Sequence, residues 1–274
     1  MSKSTIQPRG HGKFQIPSFR LAFAGQVRPM ARSLTIQYAG HWPSMLVSIV
    51  YYSSWRKVSH EACFRDYALD SGAFSVFNSG YTISLEQYIE VVRDLVAVDP
   101  FLSEVFALDV IGDWRTTIRN TERMTAAGID GAIPTYHYKD DEDMSLLKSL
   151  CRDYPKVGIG GAAQLRAFAR QRFIARCFDA VWPARLHGFG LGDALSIMAV
   201  PWESTDSSTW CGAMQHGKRK LMNKRPSTLS LSGLREDLRS EIVFYLKLEQ
   251  QARWRWRREY RLLEERRTTH VATK

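Results

Sequence analysis

An alternation constrains this chain more than any other feature. Short apolar, strand-like runs are each followed by a helix-like pattern, at intervals of roughly 20–35 residues, the spacing of β-then-α units with a parallel sheet. The strand-like runs are Arg20–Gly25, Met45–Tyr52, Tyr67–Asp70, Val105–Val110, Ala132–Tyr136, Lys156–Ile159, Arg185–Phe189 and Trp202–Thr205. Ser84 followed by Gln87 is a capping box, and Leu85, Ile89, Val92 and Val96 share one face of a helix running to about Val98. Further helices are expected over Trp114–Ala127, Asp141–Tyr154, Gln164–Phe178 and Asp193–Ala199, several of them stopped by Gly or Pro. Eight such units suit an α/β fold of the (β/α)8 TIM-barrel type; an open doubly wound sheet matches the periodicity almost as well.

The charge divides the chain. The net charge is +10, but residues 218–274 hold 16 Lys/Arg against 7 Asp/Glu, which leaves the first 217 nearly neutral. We read a loose arm over 1–18, a catalytic barrel over 19–217 and a basic, helical C-terminal extension over 218–274. Segregated positive charge points to a polyanionic partner, nucleic acid first; a solvated helical tail is the plainer reading. The candidate contacts are Lys218, Arg219, Lys220, Lys224 and Arg225, then Arg253, Arg255, Arg257 and Arg258, interleaved with Trp254 and Trp256. Guanidinium groups grip phosphate and rings stack on bases. The two tryptophans fall on different sides of a helix, so one can pack inward while the other faces solvent.

No apolar run approaches the ~20 residues that span a bilayer, and Met1–Lys13 lacks the apolar core of a secretory signal. The expected location is the cytoplasm, a host's cytoplasm if the chain is phage-encoded, with no membrane partner. The four cysteines are widely spaced and form no CxxC pair, as expected of free thiols.

Three acids stand at or near the ends of strand-like runs: Asp70 before Ser71-Gly72, Asp109 after Phe106-Ala107-Leu108, and Asp206 late in the chain. A parallel strand ends where a barrel opens, so its last residues reach the mouth of the fold. A lone aspartate there is more often a cap or turn residue. Three in series point to one pocket.

The segments around these acids resemble a known family. Leu69-Asp70-Ser71-Gly72-Ala73-Phe74-Ser75 resembles the DSGGFQ segment of the tRNA-guanine transglycosylases. Gly158-Ile159-Gly160-Gly161 resembles their GGLAVGE loop, although Ala162-Ala163-Gln164 follows here. His187-Gly188-Phe189-Gly190-Leu191-Gly192 resembles their HYLMGVG strand and turn, and Ser204-Thr205-Asp206 sits where they carry a late aspartate. The likeness covers about residues 45–216 and looks closest to the compact phage and bacterial DNA-guanine transglycosylases.

The resemblance implies base exchange at a sugar C1′. Asp206 would be the nucleophile, Asp70 the general acid/base, and Asp109 the acid that reads the guanine edge. Ser71, Gly72, Gly160 and Gly161 would bring backbone close to the purine, with Phe74, His137, His187 and Gly188 completing the candidate base-binding set. Satisfied buried histidines, a core Phe74 and a plain strand-to-helix turn at Gly160-Gly161 are the plainer readings. No redox or nucleotide cofactor is implied; a 7-deazaguanine such as 7-cyano-7-deazaguanine would be the co-substrate. The tRNA enzymes carry a zinc site after the nucleophile, where this chain has Cys211 and His216 alone. No zinc is therefore expected, and DNA is favoured over tRNA as the polymer. A homodimer and a partner protein both remain compatible with the sequence.

Overall fold

The computed structural model describes residues 19–25, 35–74, 83–138, 143–211 and 231–272; in the last segment, side chains are described at 236 and 238–259. The expected arm over 1–18 and the expected boundary at 217–218 lie outside the described residues. Eight strands run β1 (Arg20–Phe23), β2 (Ser44–Ser48), β3 (Tyr67–Asp70), β4 (Leu102–Val105), β5 (Thr135–His137), β6 (Val157–Gly160), β7 (Leu186–Gly188) and β8 (Ser204–Ser207). Every strand pair is parallel, in the order β4-β3-β2-β1-β8-β7-β6-β5. Its two edges meet at a parallel bridge between Phe106 and Ile133, where Ile133 N donates to Val105 O (2.9 Å) and Ala107 N to Ile133 O (2.8 Å). This α/β arrangement is consistent with a TIM-like barrel.

The helices are α1 (Ile49–Arg56), α2 (Leu85–Val98), α3 (Trp114–Ala126), α4 (Ser145–Asp153), α5 (Ala167–Val181), α6 (Ala194–Ala199) and α7 (Leu231–Ala272). The capping box of α2 forms: Ser84 Oγ accepts from Gln87 N (3.1 Å), and Gln87 Oε1 accepts from Ser84 N (3.0 Å). Asp113 and Asp193 cap α3 and α6 from one side only, accepting from Thr116 N and Ser196 N.

Four expected strands differ from those formed, one of them β5, which is Thr135–His137 where Ala132–Tyr136 is expected. The run Met45–Tyr52 leaves the sheet at Ser48, which pairs with Asp70, the last residue of β3. Beyond that pair no neighbouring strand offers hydrogen bonds, so Ile49 onward satisfies its backbone as α1. The run Val105–Val110 turns away after the Phe106 bridge for the same reason, and Asp109 lies in a loop. In the last unit the strand is Ser204–Ser207, later than expected, and Asp206 lies within it. Its four residues are buried yet polar, so apolar patterning does not reveal them.

Alternate residues of each strand face opposite sides. Leu21, Phe23, Met45, Val47, Tyr67 and Ile159 face outward into the core beneath the helices. Inside the ring, Ala22, Leu46, Ala68, Phe106 and Ile133 form a compact apolar layer. Below it, toward the strand N-termini, lies a charged layer in which Glu104 is bonded by Lys156 and paired with Arg20. Above it, at the C-terminal ends, stand the acids.

Helix α7 follows β8 and covers it and β1. Leu238, Ile242, Tyr245, Leu246, Leu248 and Ala252 are buried in the outer core. Glu249, 3% exposed, accepts from Leu21 N (3.2 Å) and pairs with Arg65 (3.2 Å). The first half of this helix is thus part of the wall, whereas the composition suggests only a basic extension. The tail face begins later: Trp254, Arg255, Arg257 and Arg258 are exposed.

Candidate active site

Strand β3 carries Asp70 to the C-terminal end of the ring, and the chain turns at Gly72, whose N–H bonds back to Asp70 Oδ2 (3.1 Å). Gly72 has φ +76°, and a side chain there would meet Val50 Cγ2 at 2.7 Å. Only glycine allows this turn. Beside it stands Ser48, whose buried Oγ has no hydrogen-bond partner among the described residues.

Asp206 projects inward from β8 and is 5% exposed. Its Oδ1 accepts from Gly190 N (2.9 Å) and lies 3.3 Å from His187 Nε2. Burial pushes its carboxyl up to about 7, against the pull of the Gly190 N–H. Asp70 is also pushed up to about 7, by burial first and then by the charge of Asp206, with Asp109 adding less; the Gly72 and Ser71 N–H groups oppose. Two carboxyls that repel each other cannot both ionise easily. Asp70 feels the charges of both Asp206 and Asp109, whereas burial alone raises Asp206. The anion therefore settles on Asp206 and the proton on Asp70.

Asp109 is held from three sides. His137 Nε2 is 2.7 Å from its Oδ2, Thr117 Oγ1 donates to its Oδ1 (2.9 Å), and its N–H reaches Ser71 Oγ (3.4 Å). Asn120 Nδ2 anchors the same loop at Leu108 O (2.8 Å). His137 fits only because Gly160 faces it: a Cβ there would lie 2.4 Å from Nδ1. Asp70, Asp206, Asp109, Ser71, Gly72, His137, His187 and Gly160 are thus brought together. Gly161 starts the turn after β6 with φ +77°.

Other candidates go elsewhere. A Cβ on Gly188 would meet Leu191 and Trp202, so that position faces the outer core by strand alternation. Phe74 is 61% exposed, not core. Arg253 is committed inside, donating to Phe19 O (2.6 Å) and pairing with Glu249 (2.5 Å), whereas Arg255, Arg257 and Arg258 face solvent. Lys218, Arg219, Lys220, Lys224, Arg225 and His216 lie outside the described residues. The Cys211 thiol donates to Ser208 O (2.8 Å), and among the described residues no three His, Cys, Asp or Glu could share a metal. No helix of the described residues is long and apolar enough to cross a membrane.

Sequence reasoning missed Thr117, Asn120, Ser48, Ser204 and Lys156. One signal was readable: Thr117, Asn120 and Thr121 occupy i, i+3 and i+4 on α3, where a buried helix face is normally apolar. A surface groove of about 950 Å³ lies elsewhere, near the N-terminal ends of β3 and β4, and is lined by Trp55, Phe64, Tyr67, Asp99 and Phe101 among others. None of the three acids lines it.

No family model and no curated protein sequence matches this chain. Among solved structures, it is similar to the carboxyl transferase domain of Rhizobium etli pyruvate carboxylase. With 3-hydroxypyruvate, that domain matches at TM-score 0.46 and 12% identity over 85% of this chain and 48% of the other. With pyruvate, it matches at 0.46 and 12% over 91% and 55%. The chain spans about half the length of those structures. So distant a likeness does not bear on activity.

Proposed function

We propose that this chain is an enzyme, a base-exchanging transglycosylase on a (β/α)8 barrel, which replaces guanine in DNA by a 7-deazaguanine such as 7-cyano-7-deazaguanine. The observation that carries the reading is the meeting of Asp70 and Asp206, both pushed up to about 7, with Asp109 beside them. Double displacement at a sugar needs one anionic and one protonated carboxyl. Asp206 attacks C1′; the C1′–N9 bond breaks as a C1′–O bond forms, and the departing base takes the Asp70 proton. The incoming base then gives its N9 proton to Asp70, attacks C1′ and releases Asp206. Asp109, fixed by Thr117 and His137, accepts from the ring N–H and the exocyclic amine of guanine. The reaction consumes the free base as co-substrate and needs no redox cofactor.

The nucleic-acid part of the reading rests on the exposed Trp254, Arg255, Arg257 and Arg258 of α7 and on the basic segment from Lys218. A base within a duplex must leave the stack to reach buried acids. Exposed apolar side chains follow several strand ends, among them Phe74, Tyr138, Phe168 and Leu195, and suit an unstacked strand. A cytoplasmic site of action belongs to the same proposal.

The test is incorporation of labelled 7-cyano-7-deazaguanine by purified protein, with duplex DNA and tRNA offered side by side. Label in DNA, abolished by Asp206→Asn, is the expected result. Label in tRNA alone would keep the chemistry and reassign the polymer. Binding to DNA that weakens with salt, without exchange, would instead make the chain a non-catalytic nucleic-acid-binding barrel.

A further inference from the structure

A buried chain of polar groups joins the charged layer of the ring to the acids above it. We infer that Lys156 and Ser204 are positioning residues that hold His187 as the neutral tautomer with its proton on Nε2, a donor to Asp206.

The assignment follows from counting donors. The Lys156 ammonium has three and accepts nothing. Two go to Glu104, at Oε1 (2.7 Å) and Oε2 (2.9 Å), and the third goes to Ser204 Oγ (2.8 Å). Ser204 is 1% exposed, so its own hydroxyl proton needs a buried acceptor. His187 Nδ1 stands 2.8 Å from Ser204 Oγ. Nδ1 accepts that proton, so Nε2 carries the ring's own, 3.3 Å from Asp206 Oδ1. The opposite tautomer would leave the Ser204 proton without an acceptor and aim the Nε2 lone pair at a carboxylate oxygen. Each fault leaves a buried polar group without its partner, which the fold disfavours.

The surroundings of the ring oppose a second proton, against the pull of the Asp206 carboxylate at Nε2. Burial is the main force holding His187 well below its ordinary value, and the positive charges of Lys156 and Arg20 push the same way. Glu104 opposes them, less than Lys156 acts but more than Arg20, and Glu203 opposes least. The rings of Phe106 and Phe189 stand 4.7 and 4.6 Å from the imidazole, so no water shell surrounds it. The imidazole therefore stays neutral, and its tautomer is set by a lysine on the far side of the apolar layer.

The consequence for catalysis rests on the proposed function. With His187 and Gly190 both donating to Oδ1, Asp206 is held as the anion and aimed, while Asp70 keeps the proton. Removing the Ser204 hydroxyl would release that choice without touching the Lys156–Glu104 pair.

The experiment is a long-range 1H–15N spectrum of the full chain labelled with 15N-histidine. The His187 signals are assigned by their loss in His187→Gln. A protonated Nε2 and a bare Nδ1 are expected at about pH 8, where the Asp206 carboxyl is ionised. A proton on Nδ1, or on both nitrogens, overturns the assignment. In Ser204→Ala the two tautomers should mix, and kcat for base exchange should fall roughly tenfold at constant KM. Unchanged His187 signals in Ser204→Ala would overturn the role given to Ser204 and Lys156. A wild-type protein with the expected tautomer but no exchange activity would sink the proposed reaction and leave the relay standing.

Discussion

Asp206 and Asp70 are common residues given an unusual proton affinity by where they stand. In the unfolded chain each carboxyl ionises near 3.8, and in the fold near 7. The folded state thus holds protons that the unfolded state has lost. These acids favour the fold fully below about pH 3.8, and that support is lost as pH rises through about 7. Above that range, each buried charge costs on the order of a few kcal/mol. Asp206→Asn keeps the shape and removes the charge. Its gain in melting temperature over wild type should be larger near pH 8 than near pH 5. An equal gain at both would mean that Asp206 is not strained by ionisation. The identity and order of the acids were readable in the sequence, because each stands beside a strand-like run. Their proton affinities were not, because burial, neighbouring charge and the Gly190 N–H all arrive from other parts of the chain.

At the scale of the element, α7 has two characters. Up to Ala252 its inward residues fill the outer core beside β1 and β8, and Arg253 continues that role through Phe19 and Glu249. From Trp254 the exposed guanidinium groups begin, with Arg258 5.7 Å from the Trp254 ring centroid. Replacing Arg255, Arg257 and Arg258 together by Gln should weaken DNA binding and flatten its salt dependence by a slope of about 2–3, leaving thermal stability nearly unchanged. Arg253→Gln should do the reverse, lowering stability by about 1–3 kcal/mol with little change in the salt slope. Binding isotherms at several salt concentrations and urea melts separate the two. A triple variant that binds DNA as wild type would mean that this face is only a solvated surface. The boundary between the two characters is invisible in composition, since arginines stand on both sides of it. The helix itself was legible, from Leu238, Ile242, Tyr245 and Leu246 recurring on one side.

Across the whole molecule, the ring interior is layered: a charged floor, an apolar middle and an acidic mouth. Arg20, Glu104 and Lys156 meet in the floor from β1, β4 and the residue before β6, three distant parts of the chain. Glu104→Ala would leave the buried Lys156 without its acidic partner and the half-buried Arg20 with Asp66 alone, and should cost about 3–5 kcal/mol, read as a lower urea midpoint with an unchanged slope. A loss under about 1 kcal/mol would show that the floor is wet and weakly coupled. The sequence alone determined the alternation of strands and helices, the parallel sense of the sheet and the place of Asp70 at a strand end, because apolar periodicity and turn residues act over a few neighbours. Only the tertiary structure decided that the sheet edges meet at Phe106 and Ile133, that α7 is half wall, and that Lys156 reaches His187 through Ser204. These depend on residues far apart in the chain that meet across the ring, and local patterning carries no record of which inward-facing side chains will become neighbours.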